Sequence, residues 1–204
     1  MSSKLSTKEN ETLEALLDRL NIPPSEWDLL LIGDGSGSNW DCECGWGCVS
    51  IQSDTMARKT WYGAMSSGTV NFAEIMAYIQ PLTWYVHREQ SLRKQGFGST
   101  YRNVHILTDS RYVQKQGERG NANGKLKNKA LWQLFKSFSS QGIIVHWHWI
   151  PRESVELNQF ADRLSKAARL SVKGKDLQEK VEESSSPPRS VYDFNKMGEW
   201  ENQM

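Results

Sequence analysis

The sequence is short of almost everything that marks a specialised compartment. Of its 204 residues only three are cysteines, Cys42, Cys44 and Cys48. An odd set confined to one short stretch does not read as a disulfide framework, so a reducing cytoplasm is the expected location. The same set lacks a Cys-x-x-Cys knuckle and an obvious fourth ligand, which leaves zinc unassigned. No apolar run approaches the length of a membrane span, and the polar first residues do not have the pattern of a secretory leader. No membrane association is therefore expected. Charge of one sign is lacking too: the formal net charge is +1. That total excludes neither nucleic acid nor protein as a partner. The sequence holds no internal repeat, and its length suits one good core with extensions or two small domains.

What is present is unevenly distributed. From Arg88 to Lys136 eleven Lys and Arg stand against Glu89, Asp109 and Glu118, while both ends of the chain are mildly acidic and hide that block in the sum. Such a segment is usually a solvated face, but phosphate binding needs one and would exploit it.

Periodicity divides the chain into three parts. Residues 1–24 predict a helical extension, with Ser6 and Glu9 as a capping box and Leu13, Leu16, Leu17 and Leu20 on one face. Asn21 and the Pro23-Pro24 pair should end it. Residues 25–172 predict an α/β domain. The run Leu29–Ile32, closed by Gly33-Asp34-Gly35, reads as a buried strand that lifts Asp34 to the rim of a sheet. A loop over Gly35–Gly45 and strands at Trp46–Ile51 and Arg58–Ala64 would complete an antiparallel meander. Phe72, Ile75, Met76 and Ile79 mark a helix that Pro81 should kink or break, because proline has no N–H for the carbonyl of Ala77. Val104–Thr108 reads as a strand, Asp109–Gln114 as the start of a short helix and Gly117–Lys125 as a loop. Lys129–Ser140 is a helix with Leu131, Leu134, Phe135 and Phe138 on its buried stripe. A strand at Ile143–Ile150 and a helix at Asn158–Val172 close a mixed sheet flanked by helices. Residues 173–204, rich in Lys, Glu and Ser, predict a flexible tail in which Tyr192, Phe194 and Trp200 leave room for a partner-binding motif. The N-terminal helix is a second candidate for contact with a protein partner.

Four acids stand at element ends: Asp34 and Asp109 after strands, Glu74 and Asp162 on helices. Gathered together they would repel one another, and hard oxygen ligands in such a group suit Mg²⁺ or Mn²⁺. Each acid alone is an ordinary turn or cap residue. Together, Asp34-Gly35-Ser36, the helix bearing Glu74, Thr108-Asp109-Ser110 and the Asn158-x-x-x-Asp162 helix occur in an order and spacing that resemble type 1 ribonuclease H over about residues 27–171.

That resemblance implies a ribonuclease H-like fold, with a five-stranded sheet of three antiparallel strands followed by two parallel ones. It implies cleavage of the RNA strand of RNA–DNA hybrids by two Mg²⁺ ions, leaving 3′-hydroxyl and 5′-phosphate ends. Asp34 would bridge the ions, Glu74 and Asp109 would hold one, and Asp162 the other. Gly35, Ser36 and Glu74 would meet the 2′-hydroxyl that distinguishes RNA from DNA. Thr69 and Asn71 match a Thr-x-Asn that contacts the DNA strand, and they also suit helix capping. Lys125, Lys127 and Asn128 match a Lys-Asn-x-x-Leu-Trp stretch placed to follow the DNA backbone, with Trp132 in the core. Two departures stand out. Lys125 follows Ser110 by only fifteen positions, too few for the extra basic helix that many members carry. Where the family often has a histidine before its last helix, this chain has Arg152 in Ile150-Pro151-Arg152-Glu153. An arginine does not shuttle protons at neutral pH, but it holds phosphate. A nuclease of the same fold acting on DNA or branched substrates, or a binding module that does not cut, are the alternatives. His146 and His148 alternate with Trp147 and Trp149 and so share one strand face; His87 and His105 carry no motif.

Overall fold

In the computed structural model the described residues are 11–40, 42–97, 101–120, 128–152 and 155–172. The tail 173–204 and the Ser6–Glu9 capping box lie outside them. The elements run α1 (Leu13–Arg19), a 3₁₀ turn at Pro24–Glu26, β1 (Leu29–Ser36), β2 (Cys42–Gln52), β3 (Arg58–Gly68), α2 (Val70–Lys94), β4 (Asn103–Thr108), α3 (Arg111–Arg119), α4 (Lys129–Ser140), β5 (Ile144–Trp149) and α5 (Glu156–Ser171). The strands form one sheet in the order β3-β2-β1-β4-β5. β1, β2 and β3 pair antiparallel, whereas β4 runs parallel to both β1 and β5. The expected mixed five-stranded sheet is therefore present. Parallel pairing of β1 with β4 brings the carboxyl ends of both strands, and so Asp34 and Asp109, to the same rim.

Each face of the sheet carries its own apolar cluster. On one side Leu29, Leu31, Val104 and Ile106 meet Ile75, Met76, Ile79 and Leu82 of α2 and Leu131, Phe135 and Phe138 of α4. On the other, Leu30, Ile32 and Leu107 share a cluster with Leu16 and Leu17 of α1. This alternation along β1 is the period-two signature of a strand buried on both faces. α1 thus spends its apolar face on its own sheet, leaving only its polar face for any partner. Its N-cap is Thr12, whose Oγ1 accepts from the Ala15 N–H at 3.2 Å. No helix among the described residues is long and apolar enough to cross a membrane.

Several boundaries differ from the sequence reading. β2 begins at Cys42 and β3 extends to Gly68, with an irregular register between Cys42 and Cys44, so Gly35 and Ser36 are strand residues rather than loop residues. Pro81 does not break α2, which continues from Val70 to Lys94. The segment Ala73–Leu82 is buried throughout, and that packing outweighs a penalty of about 3 kcal/mol for an interior proline. Gly117 belongs to α3, which ends at Gly120 with φ +57° as a left-handed cap. A Cβ at Gly117 would lie 2.2 Å from the Trp147 ring, so the glycine makes room for that indole.

Candidate active site

α2 is fastened to the two acid-bearing strands by one residue. Tyr78, a turn beyond Glu74, places its hydroxyl 2.7 Å from the Gly33 carbonyl of β1 and 3.1 Å from the Leu107 carbonyl of β4. Its proton is shared between the residues that precede Asp34 and Thr108. Gly35 completes the approach: a Cβ there would sit 2.3 Å from the backbone nitrogen of Glu74, so only glycine lets the helix come this close. On the opposite face Gly45 and Gly47 of β2 do the same for α5. A Cβ on either would meet α5 backbone atoms at 2.4–2.5 Å. Asp162 is carried to the rim on the helix so placed.

Ligand oxygens of Asp34, Glu74 and Asp109 all lie within 4.8 Å of one another. Asp162 is at the edge of this group, with a side chain 28% exposed and Lys166 Nζ 2.6 Å from its Oδ2. It is close enough to Asp34 to hydrogen-bond it and raise its pKa. Burial first, and then the charges of Asp109 and Asp162, push Asp34 up to about 7, against a smaller opposing pull from Arg152. Burial, Asp34 and Asp109 raise Glu74 well above the usual carboxylate range, while Arg152 and the backbone of Gly35 oppose the rise. Asp34 Oδ1 and Glu74 Oε2 are buried without a hydrogen-bond partner. Two buried carboxylates pressed toward protonation, each with an unpaired oxygen, form a hard-oxygen donor set that suits a divalent cation of the Mg²⁺ type.

Three neighbours shape the group. Arg152 Nε lies 3.0 Å from Asp109 Oδ2, and Nη2 lies 4.0 Å from Asp34 Oδ1. Asn158 Nδ2 is 3.4 Å from the same Asp109 oxygen, and its own Oδ1 is buried and unpaired. Trp149 Nε1 donates to the Asp109 carbonyl at 3.1 Å, and the Arg111 guanidinium stacks 3.4 Å over the Trp149 ring. Sequence reasoning left Asn158 and Tyr78 out of the site. Asn158 had a visible signal, since i and i+4 share a helix face and Asp162 is the other member. Tyr78 had none beyond the same four-residue spacing from Glu74.

The remaining expected residues are distributed around this centre. Ser36 ends β1, half-buried and paired with Gly45. Thr69 is the N-cap of α2, its Oγ1 accepting from the Phe72 N–H at 3.2 Å, and Asn71 follows in the first turn. Asn128 is the N-cap of α4, with φ +63° and no side-chain capping bond. Lys125 and Lys127 lie outside the described residues. Trp132 is buried, as expected. Cys44 and Cys48 are buried in the α2-side cluster, where burial pushes the Cys48 thiol up, and Cys42 Sγ lies 3.0 Å from Ser38 Oγ.

Comparison with known proteins agrees with this geometry. The family model described as RNase H matches residues 27–169. A ribonuclease H of Treponema denticola is 29% identical over 148 residues, spanning 65% of this chain and 91% of the relative. Among solved structures, LC11-RNase H1 in complex with RNA/DNA hybrid superposes with a TM-score of 0.56 at 18% identity, covering 71% of this chain and 99% of that one. The N-terminal RNase H domain of a Mycobacterium tuberculosis protein gives 0.52 at 22% identity, covering 72% and 97%.

Proposed function

The chain belongs to the ribonuclease H family, and on that premise we propose that it cleaves the RNA strand of RNA–DNA hybrids. The observation that carries the reading is that the buried oxygens Asp34 Oδ1 and Glu74 Oε2 accept no hydrogen bond, in a group whose ligand atoms lie within 4.8 Å. Asp34, Glu74, Asp109 and Asp162 would hold two divalent cations, Mg²⁺ or Mn²⁺. When bound, the cations supply the Lewis acidity that activates water and takes up charge on the scissile phosphate, for 3′-hydroxyl and 5′-phosphate products.

The chain's own residues do the rest. Gly35, Ser36 and Glu74 line the strand end where a 2′-hydroxyl is to be recognised. Thr69 and Asn71, fixed by the cap of α2, and Lys125, Lys127 and Asn128 before α4 are assigned to the DNA strand. Asn158 orients Asp109. Arg152, already within 3.0 Å of Asp109, is in reach of a phosphate held at the carboxylates and acts as its anchor. The catalytic domain is taken as residues 25–172, with 1–24 as an extension and 173–204 as a tail, in a cytoplasmic protein.

The test is a side-by-side assay of the purified protein with Mg²⁺ on labelled hybrid, duplex DNA and duplex RNA. Hybrid alone should be cut, in its RNA strand, with 5′-phosphate ends. Equal cutting of duplex DNA would move the protein to the DNA-nuclease reading, and binding of hybrid with no product would make it a non-cutting module.

A further inference from the structure

The family match begins at residue 27, yet the twelve residues Glu11–Ile22 that precede it are built into the same molecule. We propose that this segment is a positioning element of the active site, fixing both ends of the loop that carries Arg152. The inference rests on the assignment of Arg152 as phosphate anchor.

The loop leaves β5 at Ile150 and enters α5 at Val155, and both residues are buried in the cluster that contains Leu16, Leu17 and Ile22. Ile150 is tied further by its N–H to the Thr108 carbonyl at 2.9 Å. Val155 pairs in parallel with Glu11. As the N-cap of α5 it also accepts at its carbonyl from Asn158 and Gln159 at 3.0 and 3.1 Å. Glu11 is clamped in turn by Arg19 at the far end of α1, Nε and Nη2 each 2.8 Å from one carboxylate oxygen. A seven-residue helix does not hold itself in water. α1 exists because Leu16 and Leu17 are buried, so its formation and the seating of the loop are one event. The need is specific to Arg152. Its side chain is 66% exposed, and a long exposed arginine is aimed at a substrate only if the backbone beneath it is fixed.

A merely structural helix would alter stability alone, which gives the test its form. In the full-length protein, Leu16→Ala is compared with Phe138→Ala, which opens a cavity in the cluster on the opposite face. Both are assayed well below their melting temperatures. Leu16→Ala should raise KM for hybrid by roughly five- to tenfold with kcat within about twofold, a fraction of the loss expected from a charge-assisted phosphate contact. Phe138→Ala should leave both unchanged. The Asn158 and Gln159 amides should exchange faster in Leu16→Ala only. In an Arg152→Ala background Leu16→Ala should add nothing to KM, because the residue it positions is gone. Should Leu16→Ala not fold, Arg19→Met releases Glu11 without touching the core and should raise KM roughly two- to threefold, again only while Arg152 is present. An unchanged KM, or the same rise with Arg152 already removed, overturns the proposal. Failure of the parent protein to cut hybrid is a separate outcome, and it overturns the functional reading instead.

Discussion

Two clusters of like titratable groups are packed into this molecule, and they solve the same problem in opposite ways. At the rim, Asp34, Glu74 and Asp109 gather their oxygens within 4.8 Å, and Asp34 and Glu74 are driven toward protonation, with Asp34 Oδ1 and Glu74 Oε2 accepting no hydrogen bond. On the face shared by β4 and β5, His105 lies opposite His146 in register, with its ring 4.4 Å from that of His146 and 5.0 Å from that of His148. Here the groups satisfy one another: His148 Nε2 and His105 Nδ1 are 3.0 Å apart, one donating and the other accepting. One ring nitrogen, His105 Nε2, lacks a hydrogen bond, a modest cost beside that of an unpaired carboxylate oxygen. Imidazoles relieve crowding by staying neutral at physiological pH, whereas carboxylates relieve it only by taking up a proton or a cation. The first cluster therefore asks for a ligand and the second does not.

The largest expected effect breaks the carboxylate side. Asp34→Asn should lower hybrid cleavage by about three orders of magnitude or more, since it removes a ligand of the cation site with little change in volume. Stability should move the other way. A carboxyl raised from 3.8 to about 7 binds its proton more tightly in the folded state, so the fold loses stability as pH rises from near 4 to 7. The loss is complete above 7, at roughly 4 kcal/mol for this shift. In chelator at pH 8, Asp34→Asn should therefore unfold at a higher temperature than the parent, and the gain should shrink toward pH 4. Cleavage close to the parent's would remove the assignment of this site.

The imidazole side predicts the opposite slope. Burial, then His146 and His148, hold His105 down to about 4 against smaller contributions from the Glu26 backbone and Asp28. The folded state then binds fewer protons than the unfolded state between pH 4 and 6.5, so stability present above 6.5 is lost as pH falls through that window. From His105 the loss is roughly 3 kcal/mol. Denaturant titrations of parent and His105→Leu across pH 4–8 measure it: the acid-side loss should be smaller in the variant by about this amount. Equal slopes would show that the two clusters do not differ as described.

This contrast also marks what the sequence could disclose. The four acids were legible because each sits in a local motif whose order along the chain is itself a signal. His146 and His148 were correctly placed on one strand face by their spacing of two. His105 carries no motif, because its membership depends on the register of β4 against β5, which no local pattern encodes. Pro81 misled for a related reason: the local rule against interior proline is sound, but burial of α2 on several sides overrode it. β2 began earlier than expected because Cys42-Glu43-Cys44 has weak strand propensity and is held by pairing with β3. The glycine pairs that admit α2 and α5 are visible in the sequence as Gly33-x-Gly35 and Gly45-x-Gly47. Which helix each pair faces becomes clear only in three dimensions.

Arg152 belongs to the carboxylate side, supplying Asp109 with a positive charge at 3.0 Å that the imidazoles have no need of. As a phosphate anchor it should cost ~1.5–3 kcal/mol in hybrid binding when replaced by alanine. The cost should shrink as salt rises, because screening already weakens the contact. Equilibrium binding at several salt concentrations measures it. Arg152→His sharpens the point, since it should bind poorly near pH 8 and recover toward pH 6 as the ring becomes charged. A variant that instead keeps full affinity and turns over faster would make the loop a proton shuttle.

The smallest effect tests whether the imidazoles act as a cluster at all. His146 is exposed, and its ring stacks on His105 at a tilt of 32°. It lowers the pKa of His105 as a nearby charge, and its ring lies 4.4 Å from that of His105. His146→Ala removes the nearby like charge and admits water, and both changes favour the charged form of His105, so its pKa should rise from about 4. The bond between His148 and His105 stays in place and continues to hold one ring nitrogen, which limits the rise to less than about one unit, or ~1 kcal/mol of regained stability below pH 6. A titration of the His105 ring proton resonances reads the shift directly. If that pKa stays at its parent value, burial alone depresses it, and the stacked histidine is a surface residue that happens to lie there.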